Sequence, residues 1–423
     1  MVKESRLTPK ITLISAIFVH GAVEIPYFIF PVILLVVESE LIQELGAFVW
    51  IGLGSIGTIG AFAAGLPSPI FGWLADRHRR GLMMSLSLII AALGALIIGL
   101  FGESFFVLMT GIGLTGLAIA LYHPPGLSWI SEAFVDPENQ FYSTKFNRVL
   151  GIHGVGGTIG ASIAELSVAF LYGSISWQEI YLLWVSPLIF LAFIFWILVG
   201  RYESHVEFNN PSPTNELGIS HTEETATKLE KTTNSTMVII FAFMFAMSLT
   251  WGMTSFILSP FLSDVKNFKI SQAAFFVGFS HLIAASGQML GGVLGDKYSE
   301  HVALSIAAVL QVIILIGIYI VDSRLPLIIF ILYIFLGIVN SIFWPSTNSL
   351  LAKSTVHRGS AFGLFMITVN VVRALGPGID GLILSLDPNN YLWIFILSCI
   401  FSVIAFICLI VLKNHSEKAI NAV

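Results

Sequence analysis

The sequence predicts an all-α membrane protein, with twelve transmembrane helices in two pseudo-symmetric six-helix bundles. Composition is the first observation behind this reading. The 423 residues are 56% hydrophobic and only 11% charged, with a mean hydropathy of +0.89. An average soluble domain carries about 25% charged residues, and a chain this long could not clothe a water-facing surface with so few. The second observation is run length. Stretches such as 11–37, 82–101 and 391–412 are apolar throughout and long enough, at about 1.5 Å per residue, to cross roughly 30 Å of hydrocarbon. The third is an internal echo. Gly72-Trp-Leu-Ala-Asp76-Arg77 recurs as Gly292-Val-Leu-Gly-Asp296-Lys297, and Tyr122-His123-Pro124 recurs as Phe343-Trp344-Pro345. A looser match relates Gly156-Gly157 to Gly376-Pro377-Gly378 at nearly the same offset of about 220 residues. Such duplication is a hallmark of secondary transporters, which bind solute between their repeats.

Taken in order, the apolar runs are 11–37, 46–72, 82–101, 105–133, 146–172, 178–200, 237–262, 271–295, 302–321, 325–352, 359–386 and 390–412. Between the sixth and seventh lies a polar stretch rich in Ser, Thr and Asn, which reads as a linker. The expected organisation is therefore an N-terminal bundle over 1–200, a cytoplasmic linker over 201–236 and a C-terminal bundle over 237–423. Loop cations set the expected orientation. With both termini cytoplasmic, that side receives Lys3, Arg6, Lys10, Arg77, Arg79, Arg80, Lys145, Arg148 and most of the later basic residues. The opposite side receives only Lys266, Lys269 and Arg324. The first run is too long, and lacks the small-residue site, for a cleaved leader. Cys399 and Cys408 share the last run and imply neither a disulfide framework nor a metal motif.

The polar residues inside the runs are the candidates for function. His20 and Glu24 stand four apart in the first helix and so share a face, roughly 14 and 20 Å from its start at 1.5 Å per residue. A charge at that depth costs several kcal/mol unless it faces a cavity or a partner. An imidazole exchanges its proton near neutrality, and a carboxylate withdrawn from water approaches that range. With His123, the pair is the expected proton-coupling group. A structural tie to a neighbouring helix is the alternative. Pro26 and Pro31 are expected to kink the first helix, and Pro124-Pro125 to break the fourth, leaving carbonyls for the cavity.

Arg373 and Asp380, seven apart in the eleventh run, are expected to share a face. Arg373 calls for a counter-charge, from Glu24 or Asp380, or for an anionic solute. The expected cavity lining comprises Tyr27, Tyr122, His153, Trp251, His281, Trp344, Asn340, Asn370, Arg373 and Asp380. Glu165 reads equally well as packing. The loop 72–81, with Gly72, Asp76, Arg77 and Arg80, and its copy at Gly292, Asp296 and Lys297, are the expected gating elements. No HExxH, no Cys/His metal spacing, no supported Ser-His-Asp grouping and no G-x-x-x-x-G-K-[ST] occurs. The chain is accordingly not expected to be an enzyme or to carry a metal or cofactor.

The pattern G-x-x-x-D-R-x-x-R at Gly72–Arg80 closely resembles the loop signature of the major facilitator superfamily. With twelve runs and a central linker, the resemblance spans the whole chain. It implies the major facilitator fold, rocking of the halves about a central site, a latch role for the Asp76 and Arg77 loop, and a cavity lined by the first, fourth, seventh and tenth helices. Within that superfamily, His20…Glu24, Tyr122-His123-Pro124 and Val155-Gly156-Gly157-Thr-Ile-Gly160 resemble the fosmidomycin-resistance-like exporters. Two departures stand out: Glu24 replaces an aspartate, and Pro125 replaces the glutamate that follows His-Pro. The resemblance implies a transporter of the plasma membrane, exporting a small organic solute by antiport with the proton gradient as driving force; a monomer is the default expectation. Uptake of a small organic anion by proton symport or as a facilitator is the alternative, with a non-transporting membrane receptor a more remote one. The partners expected are a small-molecule substrate and the lipid bilayer, not nucleic acid.

Overall fold

The structure, a computed structural model, describes residues 9–77, 80–134, 146–200, 223–353 and 358–420. Of the expectations above, those on Lys3, Arg6, Arg79, Lys145 and 201–222 lie outside the described residues. The elements are α1 (Pro9–Ile29), α2 (Leu34–Leu45), α3 (Val49–Gly65), α4 (Ser68–Ala75), α5 (Arg80–Phe101), α6 (Phe105–Ala133), α7 (Phe146–Leu171) and α8 (Trp177–Gly200) in the first half. The second half holds α9 (Glu223–Asp264), α10 (Ile270–Lys297), α11 (Glu300–Ile320), α12 (Pro326–Lys353), α13 (Arg358–Leu386) and α14 (Tyr391–Ile420). Among the described residues, twelve helical stretches are long and apolar enough to cross a membrane. Their outer faces carry large apolar side chains such as Phe170, Phe190, Trp196 and Ile320, as lipid contact requires.

The helices differ from the sequence expectation in several places. The first helix stops at Ile29, and a 3-10 turn over Phe30–Val32 carries Pro31. The ring of Pro31 supplies no N–H to continue the ladder, and the chain restarts as α2. By contrast, α6 runs unbroken through Pro124 and Pro125: packing on either side holds the flanking turns, so the double proline does not end the helix. Finally, α9 begins at Glu223, so the end of the stretch read as linker is helical.

Packing repeats between the halves. In the first, α1 packs on α7, α3 on α6, and α5 on both α6 and α8; in the second, α9 packs on α13, α10 on α12, and α11 on both α12 and α14. The matching order is α1 with α9, α3 with α10, α5 with α11, α6 with α12, α7 with α13 and α8 with α14. Two broad seams join the halves, α3 against α13 and α7 against α10, and the same matching turns one seam into the other. Absent side chains let these seams close. A Cβ on Gly54 would lie 2.5 Å from the Pro377 carbonyl oxygen, and one on Gly151 2.5 Å from that of Gln288.

Glycine also brings α1 and α7 together inside the first half. A Cβ on Gly160 would run into the backbone carbonyl of Gly21, and one on Gly21 would stand 2.9 Å from the Gly156 oxygen. Replacing a helical glycine with alanine ordinarily gains up to about 1 kcal/mol. Here the obstacle is main chain, which cannot swing aside, so overpacking of about 1–3 kcal/mol wins. Gly160→Ala is expected to lower the melting temperature of the detergent-purified protein. An unchanged or raised value would mean that α1 and α7 are not in backbone contact.

Candidate functional site

A void of about 130 Å³ lies between the halves, lined chiefly by α1, α6, α7, α9, α10, α12 and α13. On the first-half wall, α1 presents His20 and Glu24 one turn apart, only 9% and 7% exposed. Glu24 Oε1 lies 3.6 Å from His20 Nε2 and 3.5 Å from Nε2 of His123 on α6. Each imidazole is tied down through its other nitrogen. His20 Nδ1 is 3.3 Å from the His153 carbonyl oxygen, and His123 Nδ1 is 3.1 Å from that of Ile119. A carbonyl only accepts, so both rings donate through Nδ1 and turn Nε2 towards Glu24. Three polar atoms thus converge on one point beside the cavity.

A second tier holds this arrangement in place. The Tyr122 hydroxyl is 2.7 Å from the Ala16 carbonyl oxygen and 2.7 Å from His153 Nε2. Its single proton goes to the carbonyl, so it accepts from His153 Nε2–H. His153 stacks on His20 with ring centres 4.6 Å apart and planes 17° off parallel, and Tyr122 stacks on the same ring at 5.2 Å. Gly157 leaves room for the imidazole, since a Cβ there would come within 2.6 Å of His20 Nε2.

The second-half wall differs in chemistry. Trp251 and Trp344 meet edge to face at 5.1 Å, and Asn340, Asn370 and Arg373 complete the wall. The Arg373 guanidinium lies over the Trp251 ring at 3.9 Å and near Tyr27 and Phe28 at 5.4 and 5.8 Å. Among the described residues no carboxylate pairs with it. Stacking occupies the faces of the guanidinium and leaves its in-plane N–H groups for a ligand. Across the α7–α10 seam, Glu165 Oε2 binds His281 Nδ1 at 2.7 Å. Glu165 is buried, while His281 also lines the cavity.

Most expected lining residues are brought together: His153, Trp251, His281, Trp344, Asn340, Asn370 and Arg373 all border the void. Three are not. Tyr27 borders a smaller neighbouring void that it shares with Arg373. Tyr122 is fully buried behind the histidines. Asp380 is 0% exposed, its two oxygens have no hydrogen-bond partner among the described residues, and it answers neither Arg373 nor the cavity. Sequence reasoning missed Gln288, which lines the void with its Oε1 unpartnered. Its spacing of seven from His281 on α10 was the available signal.

The two signature loops behave unequally. Arg80 donates to the Ala75 carbonyl at 2.8 Å and grips Glu132 at the end of α6 with two bonds of 2.5 and 2.7 Å. It therefore fastens the loop within its own half. Arg77 lies on the Trp73 ring at 4.4 Å, Asp76 closes α4, and Gly72 is buried in its last turn. The copy in the second half crosses the seam instead. Asp296 accepts from the main-chain N–H of Asn147 and Arg148 at 3.1 and 3.3 Å, and Arg148 Nε lies 3.3 Å away. A carboxylate at the first turn of α7 also complements the helix dipole. Gly292 beside it would bring a Cβ within 2.7 Å of the Asn147 carbonyl oxygen, while Lys297 sits near its neighbour Tyr298 at 5.0 Å.

The family model described as Major Facilitator Superfamily matches residues 12–377, with a second match over 287–423. The chain belongs to the Major Facilitator Superfamily. The superfamily's relatives include "Multidrug resistance protein MdtG" of Salmonella paratyphi C, 23% identical over 78% of this chain and 77% of that protein. "Probable nitrate transporter NarT" of Staphylococcus epidermidis is 25% identical over 75% of this chain and 80% of its own length. Among solved structures, the human organic anion transporter MFSD10 is similar at a TM-score of 0.64 and 16% identity, covering 96% of this chain and all of the other. That likeness shows the superfamily's fold.

The seam-crossing carboxylate generates a prediction. Ser346, fully buried on α12, lies beside Gly295 and Asn147 at this end of the seam. In a Ser346→Cys background, Asp296→Ala is expected to speed maleimide labelling several-fold, because about 1 kcal/mol of lost inter-half contact shifts the population of open states by that much. Unchanged labelling would show that Asp296 does not hold this end shut.

Proposed function

We propose that the protein is a secondary active transporter that moves a small organic solute across the cytoplasmic membrane by alternating access, exporting it in exchange for protons. Neither an enzymatic nor a receptor role is part of this reading. The observation that carries it is that a converging carboxylate–imidazole cluster and a guanidinium with no paired carboxylate among the described residues face one cavity between two matched bundles. His20 Nε2, His123 Nε2 and Glu24 Oε1 point their lone pairs at one another. A proton there removes the repulsion, and its departure restores it. The cluster thus exchanges charge with the cavity without rearranging the tied Nδ1 atoms. Glu24 and the two imidazoles bind the proton, and the Trp251–Trp344 wall with Asn340, Asn370 and Arg373 binds the solute. A void of about 130 Å³ suits a small solute.

Export is supported by the likeness of the His20, His123 and Val155–Gly160 motifs to the fosmidomycin-resistance-like branch, and by the printed name of MdtG. One observation favours a second reading, proton symport of a small organic anion. Arg373 and a protonated cluster both attract negative charge, and two opposite charges bound together travel together. The printed name of NarT is in keeping with an anion.

Both readings are tested in vesicles that carry the full-length protein and a luminal pH dye. A panel of small organic acids and uncharged drugs is added outside. Entry by antiport expels luminal protons and raises luminal pH, whereas symport lowers it. Glu24→Gln is expected to abolish the solute-dependent pH change while labelled solute still exchanges. A wild-type proton signal from Glu24→Gln would remove that carboxylate from coupling.

A further inference from the structure

The cluster on α1 and α6 has a geometry that exceeds what holding a proton requires. Its three ligand atoms, two imidazole nitrogens and one carboxylate oxygen, all lie within 4.8 Å of one another. The two nitrogen–oxygen separations are 3.6 and 3.5 Å. In a tetrahedral zinc site with bonds of about 2.0–2.1 Å, neighbouring ligand atoms stand about 3.3 Å apart, so the two nitrogen–oxygen edges need movements of only a few tenths of an ångström, and the nitrogen–nitrogen edge closes from within 4.8 Å. The ring planes of His20 and His123 are 86° apart, so the two nitrogens approach from different directions.

The outer contacts match those of metal-binding histidines. Each ring donates its other nitrogen to a main-chain carbonyl, at 3.3 and 3.1 Å; such a contact fixes the tautomer and leaves the ligating nitrogen bare. We propose that His20, Glu24 and His123 form a binding site for a divalent transition-metal ion of the zinc type. Three ligands come from the protein, and the fourth position opens to the cavity. Two imidazoles select against calcium and magnesium, which take oxygen ligands. A doubly charged ion at this depth needs a negative partner. Glu24 supplies it, and the fourth position takes water when zinc is bound alone or an anionic group held by Arg373. The other acid–imidazole pair, Glu165 with His281, makes no comparable site. Its two members are closed on each other at 2.7 Å, with no third ligand atom grouped with them among the described residues.

The site was not legible as a linear motif, because its third ligand comes from α6. This inference shares its residues with the proposed proton site but does not depend on coupling, and the two fail separately. The experiment is equilibrium dialysis of the tag-free, full-length, detergent-purified protein against zinc alone, with cobalt replacing zinc for a four-coordinate visible spectrum. The expected result is one equivalent of zinc per chain and a raised melting temperature. Affinity should fall at least tenfold in His123→Ala and in Glu24→Gln and stay unchanged in His281→Ala. Absence of stoichiometric binding to the wild type overturns the proposal, as does binding that survives both substitutions or is lost only with His281. The wild-type measurement stands even where a variant folds poorly. Loss of the vesicle proton signal in Glu24→Gln, with no zinc bound by the wild type, overturns the metal site alone. Zinc bound as expected, with a wild-type proton signal from Glu24→Gln, overturns the coupling reading alone.

Discussion

A carboxylate set midway through a hydrocarbon-thick bundle must share a proton or meet a cation, and this demand organises the first half of the molecule. Glu24 meets two imidazole nitrogens, and each imidazole can offer that nitrogen only because a main-chain carbonyl holds the other. One of those carbonyls belongs to His153, whose side chain stacks on His20 and leans on the Tyr122 hydroxyl. Helices α1, α6 and α7 are thereby committed to one relative placement. Glycines at their crossings let the backbones come close enough to realise it.

The second half obeys the same packing plan with different chemistry. Where α6 carries His123, α12 carries Trp344, and both face the void. The duplicated scaffold therefore supplies two walls of matching shape. One is rich in groups that exchange protons or bind cations, and the other is aromatic and amide-lined around a single guanidinium. Matching of the α3–α13 and α7–α10 seams gives the halves equivalent contacts on either side of the void, as the proposed alternating access requires. The difference in chemistry sets the two walls apart. Fold and site are separable in this sense: the repeat shapes the scaffold, and the departures from the repeat shape the site.

Much of the fold was legible because hydrocarbon imposes a length and a composition on every span. The fourth and fifth apolar runs, 105–133 and 146–172, fall within a residue of α6 and α7. His20 and Glu24 were readable as a pair because both sit on one helix, where spacing alone fixes the face. Other features depend on how helices are rotated against one another, which no linear spacing encodes. Arg373 and Asp380 illustrate this. Two turns apart, they could pair, yet Arg373 turns to Trp251 and the cavity while Asp380 is fully buried away from that void. Gln288 was overlooked because an amide in a long apolar run resembles packing until the facing helix is placed. The double proline misled in the opposite direction: its local preference for a break is overridden by neighbours that hold α6 straight enough to remain helical.

The contact made by Asp296 has a consequence for how this chain tolerates change over time. Part of what it grips is main-chain N–H, at Asn147 and Arg148, and every amino acid except proline supplies that group. This bond therefore places no demand on the identity of those two residues. Drift there weakens the side-chain contribution and leaves the amide contribution intact, whereas position 296 has no such freedom. The clasp between the halves is in this respect one-sided, written into one residue and merely read by the backbone opposite.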